Sequence, residues 1–303
     1  MKPRLLLTIL FAIVAPLQSA SAQNTPVSAS RNRDRSQYVG FFNERDLAWR
    51  PFEAKGVPAG VEVKLLSRDG KSGAVSLIAR FSAGWRGAAS GYHAGDMELF
   101  VLKGAIKIGN RRFTDRCFTY VPAGVSYGPM IVEKETTALW FFDGDASFTA
   151  STTSKPDAAV NHRVEFKSWR QEPWEAAVEI GFSKQPGIFM KILKRLPSDG
   201  PMTWISGSFA GRPPRKYEVH PSAEEAWCLE GEFNLAECLP EGAKVWHLTE
   251  GSYFYRPPNI RHIGPNSGSR SYVLWLFRTP AKLASEYFDD CGTQSLNLLK
   301  GNQ

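Results

Sequence analysis

The chain repeats itself, and that repeat limits what it can fold into. Residues 91–104 match residues 218–231 without a gap at an offset of 127, so that His93 falls on His220 and Gly104 on Gly231. Residues 121–127 match 256–262 at an offset of 135, which leaves eight extra residues in the second copy, placed around 239–244 as a longer hairpin loop. Upstream, Ala48-Trp49-Arg50 is echoed by Ser168-Trp169-Arg170. Such self-similarity implies two tandem domains of like fold, each of roughly 110–120 residues and so of ordinary domain size.

The element type follows from the pattern within each copy. Short β-branched or aromatic runs at 61–66, 74–81, 98–102, 139–142, 188–193, 204–209, 253–255 and 272–277 are broken by Gly, Pro and Asn, as strands are. An all-β chain is expected, with a tight reversing turn at Glu230-Gly231 and one helix at 281–288. Its divisions are a polar, disordered leader over 23–40, an N-terminal domain over 41–144 and a Ser/Thr/Ala-rich linker over 145–160. A C-terminal domain over 161–285 and a tail over 286–303 follow.

Chemistry concentrates in the second copy. Glu218 and His220, two apart, share one face of a strand. Glu224 stands on the next strand and His262 arrives from another. Two imidazoles with one or two carboxylates suit one divalent metal, iron, manganese or zinc, with copper and nickel also compatible. Three or four protein ligands leave a position open for water or substrate. Glu225 is the alternative to Glu224, because a one-residue slip in register exchanges them. Glu218 is either a ligand or a base beside the ligands. Trp227, Tyr253, Tyr255, Arg256 and Arg261 are candidates to line a substrate pocket, with Trp204 and Trp275 as an apolar wall. In the first copy Gly91, Met97 and Tyr127 stand where Glu218, Glu224 and His262 do. His93 survives with Glu98 one place off, so His93, Glu98 and Tyr127 offer at most a weak second site.

These segments resemble the two signature motifs of the cupin superfamily. His220, Glu224 and Gly231 fit the first motif, with Glu218 where the family usually has a His. Gly251, Pro257, His262 and Asn266 fit the second, and Asn259 replaces its inner Gly, a mild change because Asn tolerates a positive backbone angle. H-P-S-A-E-E-A-W-C-L-E-G followed by G-S-Y-F-Y-R-P-P-N-I-R-H is similar to the zinc-binding cupin domain of bacterial anti-sigma factors, and to small aromatic-ketone dioxygenases. The exported two-copy arrangement looks like an uncharacterised bicupin family, a domain of unknown function. The resemblance implies two tandem jelly rolls and a metal in the second. It leaves the reaction open, because this fold serves many chemistries.

Lys2 and Arg4, an apolar run over 5–14 and Ala20-Ser21-Ala22 read as a secretory signal cleaved near Ala22/Gln23, which predicts a periplasmic or secreted protein. The apolar run is too short for stable membrane insertion. Removing residues 1–22 takes away two basic residues and no acids, so the net charge falls from +7 to +5. The remaining basic residues are scattered, and no nucleic-acid partner is expected. One disulfide is permitted among Cys117, Cys228, Cys238 and Cys291, its pairing open; Cys228 reads as a barrel-lining residue. A homodimer through sheet edges is compatible with the fold. The functional readings are a metal-dependent enzyme of dioxygenase or isomerase type acting on a small oxygenated molecule, a non-catalytic metal or small-ligand binding or sensing protein, and a purely structural cupin.

Overall fold

The computed structural model describes residues 33–36, 38–87, 89–210, 215–239 and 242–292. The expected signal over 1–22 lies outside these residues. Among them there is no α-helix, only strands and two single-turn 3-10 segments. The helix expected over 281–288 is replaced by a strand, Glu286–Phe288, paired antiparallel with Tyr217–Val219. An open sheet edge there outweighs a weak local helix preference. Just beyond it, in what was read as a tail, Cys291 is joined to Cys238 across the same edge. Cys117 and Cys228 are buried and free.

The architecture is the expected pair of antiparallel jelly rolls. In the first, strands lie in the order Arg50–Pro51, Val61–Arg68, Val75–Phe81, Met130–Asp143, Asp96–Ile108, Cys117–Val121. In the second, Phe189–Arg195, Met202–Phe209, Tyr272–Thr279 and Glu224–Leu239 repeat that arrangement around a similarly long central strand. The long strand does not reverse at Glu230-Gly231. Its pairing with Tyr272–Thr279 shifts register between Cys228 and Glu230. Gly231 sits at φ +80°, where a Cβ would fall 2.1 Å from the Tyr272 carbonyl oxygen. Gly104 repeats the device, at φ +106° and 2.2 Å from the Glu135 carbonyl. These glycines therefore serve a bulge that bends one continuous strand between two sheets, not a turn.

Each barrel takes a strand from the other half of the chain. Val39–Asn43 pairs with Ser252–Arg256 in the second barrel, and Val164–Ser168 pairs with Cys117–Val121 in the first. The two recipient strands hold the same place in the repeat, so the exchange is reciprocal. Three boundaries read from composition move. Residues 39–40 of the expected leader belong to a strand, Val164–Ser168 belongs to the first sheet, and Phe148–Ala150 of the expected linker pairs with Gly91–His93. Polar composition hid Val39, which is buried in the structure.

Between the barrels lies an apolar layer in which Leu66, Phe100 and Phe141 meet Leu193, Trp227 and Leu276. A buried ionic network threads it. Glu98 pairs with Lys194 and with Arg278 Nη2 at 3.0 Å, and accepts from Thr203 at 2.7 Å. Glu225 pairs with Arg278, lies 3.5 Å from Arg35 and accepts from Ser76 at 2.7 Å and Tyr253 at 2.6 Å. Asp143 completes the set, 2.7 Å from Arg278. Three acids thus face three bases, the balance that buried charge requires.

Candidate metal centre

Glu224 begins the long central strand, and alternation turns its carboxylate into the second barrel while Glu225 turns out into the inter-barrel network. His262 opens the strand His262–Gly268, and His220 follows Tyr217–Val219. Asn259, at φ +68°, donates its N–H to the His220 carbonyl at 2.9 Å, so the turn that carries the second motif is fastened to the first. These elements bring one ligand atom each of His220, Glu224 and His262 within 4.8 Å of one another, all three residues buried.

The histidines are arranged as ligands need to be. His220 Nδ1 lies 2.6 Å from the Ser222 carbonyl and His262 Nδ1 lies 2.9 Å from the Ile260 carbonyl. A carbonyl can only accept, so each Nδ1 carries the proton and each Nε2 presents its lone pair. His220 Nε2 is buried without a hydrogen-bond partner, and the two Nε2 atoms stand 3.7 Å and 3.9 Å from Glu224 Oε2. Burial and the nearby Arg256 guanidinium push His262 well below its usual range, which keeps it neutral. Burial alone would raise Glu224, but His220 and Arg256 hold it down at about 2, ionised. Two imidazoles and one carboxylate converging in this way fit a divalent metal, and this donor set is the one found with open coordination positions in non-haem iron oxygenases.

Glu218 is not in that group. Its Oε1 accepts from Ser285, and burial raises its carboxyl toward the neutral form. It lines the same cavity as Glu224, His262 and Arg256. Arg256 is fully buried and engaged on both sides, by Glu224 and by Glu237, whose Oε1 lies 2.8 Å from Nε. Glu237 in turn accepts from Tyr38, ahead of the exchanged strand. This relay from the N-terminal arm to the candidate ligand was missed from sequence, since Glu237 lies outside both motifs. The cavity has a volume of about 80 Å³ and an aromatic wall that includes Trp204, Trp275, Phe254 and Phe277. An outer cleft shares Phe182, Ser183 and Leu283 with it.

The other pocket candidates lie elsewhere. Trp227, Tyr253 and Tyr255 point into the layer between the barrels, because they alternate with cavity-facing positions on their strands. Arg261 stacks on Phe288, 3.7 Å from the ring, and reaches Asp290. In the first barrel His93 Nε2 is 2.8 Å from the Tyr127 hydroxyl and Nδ1 is 2.9 Å from the Ala146 carbonyl. Both nitrogens are occupied, and Glu98 is turned away into the ionic network, so the weak second site does not form.

The comparisons bear on fold and family. A structure of a candidate dioxygenase from Nostoc punctiforme is similar with a TM-score of 0.67 at 23% identity, over 83% of this chain and 87% of that one. Oxalate decarboxylase from Bacillus subtilis is similar with a TM-score of 0.53 at 14% identity, over 82% of this chain and 78% of that one. No curated protein matches. The family model described as domain of unknown function DUF4437 covers residues 41–285. The chain belongs to the DUF4437 family, built on the cupin fold.

Proposed function

We propose that the protein is an exported metal-dependent enzyme whose second barrel acts on a small oxygenated organic molecule, in a reaction of dioxygenase or isomerase type. The observation that carries this reading is the convergence of ligand atoms of His220, His262 and Glu224, within 4.8 Å of one another, beside an aromatic-walled cavity that Glu224 and His262 line. Iron, manganese or zinc held there would supply Lewis-acid polarisation of a substrate oxygen or activation of dioxygen or water. The chain's own part is to orient both imidazoles with Nε2 toward the site through the Ser222 and Ile260 carbonyls, to hold Glu224 ionised, and to line the cavity with the aromatic wall. The names of the Nostoc and Bacillus proteins are in keeping with such chemistry.

A second reading, binding or sensing without turnover, is favoured by one contact. Arg256 donates to the same Glu224 oxygen that faces the histidines, and so competes with a metal for it. Elemental analysis of residues 23–303, purified without a metal-affinity tag, separates the readings. About one iron or manganese per chain, lost in His262→Ala, supports the enzyme; zinc moves weight to sensing or hydrolysis; no metal overturns both metal readings.

A further inference from the structure

Arg215 stands just before Tyr217–Val219 and lines the same cavity as Glu224 and His262. It is 8% exposed, and its Nε is buried with no hydrogen-bond partner. Among the described residues no carboxylate lies within ion-pair reach of it, and its guanidinium rests 5.3 Å from the Phe233 ring. The cavity's other guanidinium, Arg256, is matched by Glu224 and Glu237. Glu218 does not redress the imbalance, because it makes no ion pair with Arg215 and its Oε1 accepts from Ser285. A buried cation with no counter-charge costs several kcal/mol, on the order of the desolvation of one ion, and is relieved when an anion meets it.

We infer that Arg215 is the subsite for the carboxylate of a short-chain organic acid, the substrate class of the second barrel. The acid's carboxylate pairs with the guanidinium, its apolar body packs on Trp204 and Trp275, and its oxygenated end faces His220, Glu224 and His262. Size argues for a short chain: a cavity of roughly 150 Å³ holds a benzene ring, and this one measures about 80 Å³. The final element of the inference rests on the metal-enzyme reading; the carboxylate subsite does not.

The test uses pyruvate and its neutral isostere pyruvamide, titrated calorimetrically into residues 23–303 after metal content has been measured on the same sample. Wild type should bind pyruvate at least about tenfold more tightly than pyruvamide, a difference of about 1.4 kcal/mol. Arg215→Gln should erase that preference with metal content unchanged, and Arg215→Lys should restore part of it. Equal binding of the two probes by wild type, or an undiminished preference in Arg215→Gln, overturns the subsite. An Arg215-dependent preference in protein that binds no metal would overturn the metal reading alone. Should Arg215→Gln not fold, the wild-type comparison and Arg215→Lys still decide.

Discussion

The two barrels hold a histidine at the same place in the repeat and treat it in opposite ways. In the first, His93 is hydrogen-bonded at both nitrogens, with Tyr127 filling the position of His262. In the second, His220 has one nitrogen fixed by a carbonyl and the other left bare toward His262 and Glu224. The positions around them diverge in step: Met97 against Glu224, Val121 against Arg256. A fold-defining histidine therefore carries no chemistry by itself. What distinguishes a packed imidazole from a ligand is whether its neighbours accept its last lone pair or proton.

The comparison breaks first if metal content does not follow it. His220→Ala and His262→Ala should each abolish metal binding while His93→Ala leaves it unchanged, read by elemental analysis. Equal loss from His93→Ala would show that the first barrel holds metal after all. The neighbouring carboxylates sharpen the same contrast. Glu224→Gln should lose metal and keep the fold, whereas Glu225→Gln should keep the metal site but cost about 3–5 kcal/mol in denaturant unfolding, because it leaves Arg278 and Arg35 without their shared partner.

Acid should test the packed histidine of the first barrel too. Burial pushes His93 down to about 4, below an unfolded value of about 6.5. The unfolded chain therefore binds the proton first, so this group's contribution is complete above about 6.5 and is lost as pH falls toward 4, roughly 3 kcal/mol in all. His93→Gln should flatten that slope in a pH series of unfolding curves; an unchanged slope would remove His93 as its cause. The smallest expected effect is on the relay. Tyr38→Phe removes one hydrogen bond to Glu237, two residues removed from Glu224, and should weaken metal binding by about tenfold or less. A loss as large as that of His262→Ala would make the arm part of the site itself.

Much of this was legible because it is local. Motif spacing located the bulge glycines, the turn at Asn259 and the residues His220, Glu224 and His262, since strand alternation fixes which side chains share a face. What stayed hidden depends on partners distant in sequence. Arg215 and Glu237 matter through a cavity assembled from several strands, and neither lies in a motif. Trp227, Tyr253 and Tyr255 looked like pocket residues because aromatics near a ligand usually are, but the second barrel has another barrel behind it, and that surface needed covering as well. The edge strand at Glu286–Phe288 depends on an open neighbour that no local window contains.

The reciprocal strand exchange also sets a timetable for biogenesis. Val39–Asn43 leaves the ribosome early but docks on Ser252–Arg256, roughly 200 residues later. At about 5–20 residues per second it waits about 10–40 seconds for its partner. During that interval an apolar edge, Phe41 included, has no native place to go, although the first barrel has all its strands once Val164–Ser168 is made. The second barrel alone therefore closes only after residues from both ends of the chain have been made.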